Sequence, residues 1–296
     1  MKILKIVTHN GDFHSDDIFA IAVLSLAFEK EAQIEIVRTR DASQFASADF
    51  LVDIGGINDV EKNRFDHHQA GGAGARENGV PFASAGLVWK KYGSQVCDSL
   101  EIAKMIDEKL ITHIDANDNG VNIYSPVFPN ILPYTIQDLV HIFRPTWKED
   151  LLSVDKTFLE MVTMAKKIIT REIVVLTNLK EAGDLVEQAY QKAEDKRLII
   201  LSQKYPWVSL MKHPEPLFIV YQDGVNSFWR VRAVSDGTQV FKNRKNLPAS
   251  WAGLKDKELA EVTGVADALF CHNKLFLAVA KSKEGALALA KIALEN

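Results

Sequence analysis

Histidine and aspartate side chains are concentrated in four short segments of the first 120 residues. Imidazole and carboxylate groups together bind hard or borderline divalent cations such as Mn²⁺ or Mg²⁺, whereas a structural zinc site more often contains thiolates. With six or more candidate ligands there are enough for two ions, and a central carboxylate could bridge them. The candidates are His9, His14 and Asp16, then Asp53, then Asp66, His67 and His68, and finally Asp115 and Asp118.

Two such ions, about 3.5–4 Å apart, are the usual arrangement for in-line attack of water on phosphorus. Each segment also has a structural interpretation when it is taken alone. The pair His67-His68 could be a packing feature, Asp53 could cap a turn, and Asp118 precedes Asn119-Gly120, a turn signal. The coincidence of all four segments favours a metal site with phosphoesterase chemistry.

Short apolar segments alternate with helical patterns in this part of the chain. This alternation predicts an α/β fold with a parallel sheet that is covered on both faces. Sites in such sheets form beyond the carboxyl ends of the strands, where three of the four segments are expected. The predicted strands are residues 3–8, 34–39 and 50–54, and the predicted helices are residues 17–31, 84–92 (stopped by Gly93) and 99–115.

The sequence then changes character. Residues 151–196 predict a long helical connector, with a possible break near Asn178 or Gly183. A smaller α+β domain is expected after it, so we place the domains at residues 1–185 and 186–296. Its predicted strands are residues 198–202, 217–221, 227–233 and 268–280, and its predicted helices are residues 255–262 and the segment from residue 283.

Composition excludes several classes of protein. The chain has 296 residues, of which 47% are hydrophobic, which is typical of a globular protein and excludes disorder and collagen-like repeats. No apolar run approaches the ~20 residues of a membrane helix, and the first residues enter a strand pattern without a signal peptide. Cys97 and Cys271 cannot form a disulfide framework. We therefore expect a cytoplasmic protein, whose oligomeric state the sequence leaves open.

The formal net charge of −4 hides an uneven distribution. Residues 1–185 contain 19 Lys and Arg against 27 Asp and Glu, whereas residues 186–296 contain 16 against 12. Uneven surface composition alone could explain this difference. It also fits cation binding by the first domain and anion binding by the second.

Basic and aromatic residues alternate between Phe228 and Lys245. Arginine gives bidentate contacts to phosphate, and aromatic side chains such as Trp229 and Phe241 offer stacking surfaces for unpaired bases. An amphipathic hairpin with a solvated basic face is the structural alternative. The candidate substrate-binding residues are Arg230, Arg232 and Arg244, with His272 further along the chain.

The four segments, in this order, resemble the Myg-type exonuclease family, which is related to the DHH phosphoesterases. They are His9-Asn-Gly-Asp-Phe-His14-Ser-Asp16, Val52-Asp53-Ile-Gly-Gly56, Phe65-Asp66-His67-His68-Gln69 and Asp115-Ala-Asn-Asp118-Asn-Gly120. The similarity continues at Phe228-Trp229-Arg230-Val231, Leu247-Pro248, Trp251-Ala-Gly-Leu254 and Lys283-Glu284-Gly285. It therefore runs through most of the chain.

The resemblance implies a DHH-like catalytic domain and a 3′→5′ exonuclease activity on single-stranded RNA or short oligonucleotides. It implies that Asp53 bridges the metals and that His67 and Asp115 are ligands. His68 would face the scissile phosphate as a donor or general acid, and Asp66 would orient His67 or His68. The active site would lie between the two domains.

The first and last motifs depart from the family pattern. His14 stands where the first Asp of a DHH motif is usual, and its spacing from His9 is one residue longer. This departure leaves open how the ligands divide between the ions. The family often has Gly-Gly-His after a late strand, where this chain has Leu277-Ala-Val-Ala280-Lys281. Lys281 is the candidate substitute there.

Two other functions fit the residues. A small phosphoanhydride or a cyclic dinucleotide could be the substrate, because the net charge is negative and a long basic groove is not evident. A non-catalytic, metal-dependent binding module is the alternative from a different class, although an intact ligand set argues against it.

Overall fold

The computed structural model describes residues 2–150, 153–237 and 242–296. The chain forms two compact units, the first ending at Thr177 and the second beginning at Asn178. Each unit contains a mixed five-stranded sheet with helices packed against it. The predicted α/β class, with a parallel-rich first sheet and a smaller second domain, is confirmed.

The first sheet has the strand order β2-β1-β3-β5-β4. β1 pairs in parallel with both β2 and β3, β3 pairs in parallel with β5, and β4 runs antiparallel to β5. From β1 the chain continues to β2 on one side of β1 and then to β3 on the other side of β1. A topological switch point therefore lies between β1 and β3. The strands are β1 (Lys2–Thr8), β2 (Ala32–Arg38), β3 (Phe50–Val52), β4 (Asn58–Asp59) and β5 (Arg64–Phe65).

The helices of the first unit bury continuous apolar surfaces. In α1 the side chains of Ile18, Ile21 and Leu24 are fully buried, and α1 packs extensively against α2. The helices are α1 (Ser15–Phe28), α2 (Ser84–Cys97), α3 (Leu100–Ile106), α4 (Thr112–Asp118), α5 (Ile136–His141) and α6 (Val154–Lys192).

Two helix predictions were wrong in detail. α2 does not stop at Gly93 but continues to Cys97, because Gly93 packs against Trp89, where a Cβ atom would lie 2.8 Å from the indole ring. The single helix predicted for residues 99–115 is divided by a π turn at Asp107–Ile111, which separates α3 from α4.

α6 is one unbroken helix from Val154 to Lys192, without the break considered near Asn178 or Gly183. The boundary between the units falls within this helix, after Thr177, whereas the predicted boundary follows residue 185. None of the helices in the described part of the chain is long and apolar enough to cross a membrane.

The second sheet has the order β6-β7-β8-β10-β9, in which only the β6–β7 pair is parallel. The strand predicted for residues 268–280 is a hairpin, because Leu275 adopts a left-handed backbone (φ +58°) and its N–H bonds to the His272 carbonyl. The elements are β6 (Leu198–Ile200), β7 (Phe218–Gln222), β8 (Trp229–Ala233), α7 (Asp256–Thr263), β9 (Ala268–Cys271), β10 (Leu277–Ala280) and α8 (Lys283–Glu295).

Candidate metal centre

The strands β1 and β3 bring His9 and Asp53 together at the switch point of the first sheet. His9 follows β1 directly, and Asp53 follows β3 with a left-handed backbone (φ +53°), which a residue with a side chain rarely adopts. The Asp53 Oδ2 atom lies 3.2 Å from His9 Nε2, and its Oδ1 atom lies 3.5 Å from His67 Nε2. Asp53 therefore stands between two imidazoles, as a bridging carboxylate would.

Among the described residues, three groups of side chains have ligand atoms that lie within 4.8 Å of one another. The groups overlap, since Asp53 and His67 each belong to two of them. Each group offers imidazole and carboxylate only, which is the donor set of a hard or borderline divalent ion. The groups are His9, His14 and Asp53; Asp53, His67 and His68; and Asp16, His67 and Asp118.

Buried polar atoms without hydrogen bonds support a cation at this place. His67 Nε2 is buried only 3.1 Å from Asp118 Oδ2, yet the direction of approach does not make a hydrogen bond. Asp17 Oδ2 is in the same condition, 3.3 Å from His9 Nε2. Such atoms are costly in a folded protein unless an ion or water satisfies them. A divalent cation coordinated by these atoms fits the residues present.

The first turn of α1 supplies two fully buried acids, Asp16 and Asp17. Asp17 Oδ1 accepts hydrogen bonds from the backbone N–H of His14, at 2.9 Å, and of Ile18, at 2.8 Å, so the carboxylate is fixed beside His9. Asp17 was not among the candidate ligands predicted from the sequence. Its position in the first turn of a helix that begins inside the His9–Asp16 loop is the signal that identifies it.

Asp16 connects the first turns of two helices. Its carboxylate accepts hydrogen bonds from the backbone N–H groups of Ser84, at 3.0 Å, and Ala85, at 2.6 Å, at the start of α2. The positive end of a helix stabilises a carboxylate in this position. The same carboxylate belongs to the group with His67 and Asp118, so Asp16 both joins α1 to α2 and faces the centre.

The two acids of α4 have different surroundings. Asp115 is fully buried, with Oδ2 2.6 Å from Arg76 Nη1 and Oδ1 accepting the N–H of Gly86 at 2.9 Å. Burial raises the pKa of Asp115 to about 7 even though Arg76 opposes that rise. Asp118, one turn later, is the α4 acid that reaches His67.

Asp115, the predicted ligand, thus lies outside the three groups because this chain's own donors occupy its oxygens. Arg76 is held in turn by Asp107 through Nε and Nη2, at 2.9 and 2.7 Å. The sequence left the role of Asp118 open, because its context, Asp118-Asn119-Gly120, is also a turn signal.

His68 projects towards solvent beside the buried groups. Its side chain is 62% exposed, and its ring Nδ1 and backbone N lie 2.8 and 3.0 Å from Asp66 Oδ1. Asp66 Oδ2 also accepts the N–H of Gly56 at 2.6 Å. Asp66 therefore orients His68 rather than His67. His68, Asp66 and Asp53 line an open cavity of about 560 Å³.

The charges of the centre are strongly coupled. Burial disfavours protonation of His9 and His67, but the carboxylates around them outweigh it and raise the pKa of His9 to about 10 and that of His67 to about 11. Burial would raise the pKa of Asp53, yet the imidazoles of His67 and His9 hold it below its usual range. The surrounding carboxylates therefore favour the protonated forms of both imidazoles.

The substrate-binding residues predicted in the second unit are only partly grouped. Arg232 lies over the rings of Trp207 and Phe276, 5.4 and 5.0 Å from their centroids, and the His272 ring lies 4.3 Å from that of Phe276. Arg232 and His272 therefore share one aromatic surface.

The other predicted basic residues have separate partners. Arg230 forms an ion pair with Asp223, and Arg244 Nη1 donates to the backbone carbonyls of His213 and Pro216 at 2.6 and 3.2 Å. Lys281 is exposed after β10. The aromatic candidate Phe241 lies outside the described residues.

The first unit is thus an α/β domain with a histidine- and aspartate-rich candidate metal centre at the carboxyl edge of its sheet. Residues 5–294 match the family model MYG1_exonuc, described as an uncharacterised protein family (UPF0160). The chain belongs to this family, and the resemblance found in the sequence is confirmed.

Similar proteins occur in animals and fungi. The chain is 31% identical to a MYG1 protein of Caenorhabditis elegans, covering 97% of this chain and 94% of that protein. It is 30% identical to the mouse MYG1 exonuclease and 29% identical to the human MYG1 exonuclease. Those two alignments each cover 98% of this chain, and they cover 84% of the mouse and 85% of the human protein.

One solved structure, of an exopolyphosphatase-related protein from Bacteroides fragilis, is 14% identical, with a TM-score of 0.24. The alignment covers 99% of this chain and 92% of that one. A TM-score this low does not establish a shared fold.

Proposed function

We propose that this protein is a divalent-metal-dependent phosphodiesterase that degrades single-stranded RNA or short oligonucleotides in the 3′→5′ direction. The observation that carries the proposal is Asp53, which lies between His9 and His67 and belongs to two of the three ligand groups. The mouse and human relatives are named exonucleases, which favours a nucleic acid over other phosphate esters. We also propose a cytoplasmic location.

The residues that would hold two ions, Mn²⁺ or Mg²⁺, share Asp53 and His67. When bound, the ions supply Lewis acidity, which activates water and offsets charge at phosphorus. His9, His14 and Asp17 face one side of Asp53, whereas Asp16 and Asp118 face His67. The backbone bonds to Asp16 and Asp17 keep these carboxylates in place before any ion arrives.

His68 is the proposed proton donor. Asp66 Oδ1 lies 2.8 Å from Nδ1 and would accept its proton in a hydrogen bond, and the ring lines the cavity. The imidazolium form, protonated on both ring nitrogens, would donate from Nε2 to a phosphate oxygen or protonate the leaving oxygen, which leaves a neutral ring with its proton on Nδ1. His68 Nδ1 is also 3.4 Å from Asp53 Oδ1, so metal binding by the same ring is the competing role.

The second unit would bind the nucleotide chain. Arg232 and His272, on the surface of Trp207 and Phe276, combine a cation with aromatic faces, as sites for unpaired bases do. Arg230, Arg244 and Lys281 are further candidates for phosphate contacts. Substitution of Arg232 by Ala is expected to raise the KM for oligonucleotides more than that for a dinucleotide.

The test is the release of mononucleotides from a 3′-labelled oligoribonucleotide with Mn²⁺. A 3′→5′ enzyme releases the label first as a mononucleotide, whereas a 5′-labelled substrate gives a ladder. Asp53→Ala and His67→Ala are expected to abolish release, and Asp184→Ala, at an exposed position on α6, to leave it unchanged. Full activity of either of the first two variants would overturn the proposal.

A further inference from the structure

The cavity beside the ligand groups has one strongly basic side chain that neither the sequence analysis nor the proposed chemistry uses. Arg40 lines this cavity together with His14, Asp53 and His68. Among the described residues that line it, Arg40 is the only arginine or lysine. The other charged groups there are carboxylates and histidines.

The backbone on both sides of Arg40 is held in place by strand pairing and hydrogen bonds. Arg40 follows β2, which pairs with β1 in the register Thr8–Arg38, and the N–H of Thr39 then donates to the Thr8 carbonyl at 2.8 Å. On the other side, Asp41 Oδ1 caps the following 3₁₀ turn by accepting the N–H of Ser43 at 2.9 Å. Arg40 is therefore held at the carboxyl edge of the sheet, next to β1, which His9 follows.

Arg38, two residues earlier, is an arginine with a structural role and serves as a comparison. The Arg38 side chain is only 3% exposed, its Nη1 is 2.6 Å from Asp155, and its Nη2 donates to the Gly11 carbonyl at 2.7 Å. Arg40, by contrast, is exposed and forms no ion pair or hydrogen bond with any of the described residues. Its guanidinium is free to take a ligand.

We propose that Arg40 binds a phosphate group of the substrate in this cavity. A phosphodiester that approaches the centre meets Asp53, Asp66 and Asp118 on the cavity wall, and bound metal ions would be largely neutralised by their own ligands. A guanidinium offers two parallel N–H donors to the phosphate oxygens, which a carboxylate cannot do. Arg40 is thus a specificity residue for anionic substrates in the first unit, and this role rests on the proposed function.

Exposed arginines often have no partner at all, so the experiment must separate binding from mere exposure. Arg40→Ala and Arg40→Lys are compared with wild type and with Arg171→Ala, an exposed arginine of α6. Three quantities are measured: the KM and kcat for an oligoribonucleotide, the Kd of Mn²⁺, and the Kd of AMP for the Mn²⁺-loaded protein by calorimetry.

Loss of a charge-assisted bidentate contact is expected to raise the KM and the AMP Kd of Arg40→Ala by about ten- to one-hundredfold. The KM and the AMP Kd of Arg40→Lys should lie between those of wild type and Arg40→Ala, because lysine keeps the charge but lacks the two parallel N–H donors. The Mn²⁺ Kd of Arg40→Ala should match that of wild type, and so should all the quantities measured for Arg171→Ala. Unchanged KM and AMP binding in Arg40→Ala would overturn the inference, as would a large loss of Mn²⁺ affinity, which would make the role structural.

The calorimetric arm separates this inference from the proposed function. If the wild-type protein releases no nucleotide, the exonuclease proposal fails, while weaker AMP binding by Arg40→Ala still supports an anion site at Arg40. If wild type is active and Arg40→Ala is indistinguishable from it, only the role of Arg40 fails.

Discussion

Whether a side chain of the centre can bind a metal depends on the hydrogen-bond partners that its oxygen and nitrogen atoms already have. Asp115 is satisfied by Arg76 and Gly86, whereas His67 and Asp17 keep buried atoms without hydrogen bonds. A ligand-rich sequence motif does not distinguish these cases, because it reports residue type and order only. The hydrogen-bond partners of each atom in the folded protein do distinguish Asp115 from His67 and Asp17.

This difference predicts opposite effects for the two acids of α4. Asp118→Asn is expected to weaken Mn²⁺ binding at least about tenfold, because a charged ligand beside His67 is lost. Asp115→Asn should mainly destabilise the fold, by about 1–3 kcal/mol, because Arg76 loses a charged partner. Mn²⁺ calorimetry and denaturant unfolding on both variants check this. The reverse pattern would place the ligand at Asp115.

Protonation of the centre predicts a pH dependence. The ordinary imidazole pKa is about 6.5, and folding raises that of His9 to about 10 and that of His67 to about 11. Protonated imidazoles therefore stabilise the metal-free fold fully below about pH 6.5, and this stabilisation is lost as the pH rises through 10 to 11.

Metal binding needs neutral imidazoles, so Mn²⁺ should displace about one to two protons per molecule at pH 7.5. Calorimetric titrations in Tris and in HEPES, which differ in ionisation enthalpy, should then give different apparent heats. His67→Ala is the control, with a smaller difference between the buffers. Equal heats for the wild-type protein in both buffers would contradict the prediction.

At the scale of elements, the centre depends on how closely α2 approaches α4. A Cβ atom at Gly86 would lie 1.8 Å from Asp115 Oδ2, so the contact between the helices exists only with glycine there. The close approach lets the Gly86 N–H reach Asp115 and leaves Asp115 to hold Arg76.

Gly86→Ala is therefore expected to lower the free energy of unfolding by about 1–3 kcal/mol or more through overpacking. Gly183→Ala is the matched control, since it is also in a helix interior but has nothing within 4 Å of the new Cβ. That substitution should raise stability by up to about 1 kcal/mol. Urea unfolding of both variants measures this, and equal effects would refute the close contact.

The same elements show how far sequence reasoning reaches. The longer strands and helices, and the sheet edge at which the ligands lie, follow from the apolar periodicity and from the residues at strand ends, and these were predicted. The two-residue strands β4 and β5 and the short helix α5 were not. The prediction that Gly93 stops the helix and the prediction of one strand over residues 268–280 were wrong. Gly93 lies inside α2 against the Trp89 ring one turn earlier, and Leu275 adopts a left-handed turn that its residue type does not indicate. Asp17 and Arg40 were not selected, and the role of Asp118 stayed open, because residue type and order do not show which side chains meet at the centre: Asp118 approaches His67, which lies 51 residues earlier.

At the scale of the whole molecule, charge is divided between the parts of the chain. The acids of the first 185 residues include the candidate ligands, and the excess of basic residues lies after them. The net charge of −4 therefore understates how well the residues after 185 could bind anions.

An oligonucleotide that contacts several basic residues should bind with strong salt dependence. With three phosphates contacted, raising NaCl from about 50 to about 200 mM is expected to raise the KM by about twentyfold. A dinucleotide substrate is the control and should change much less. Equal, shallow salt dependence for both substrates would favour the small-substrate alternative over an exonuclease.

The π turn at Asp107–Ile111 has a consequence for helical phase. An α-helix advances about 100° per residue, so two side chains eight residues apart on an uninterrupted helix would point about 80° away from each other. A π turn absorbs one extra residue and brings Asp107 and Asp115 nearly into phase, which is how both reach Arg76. The turn thus sets the angular position of Asp118 as well, because the same residues in a regular α-helix, with none deleted, would rotate that acid by about 100° away from His67 without altering any ligand.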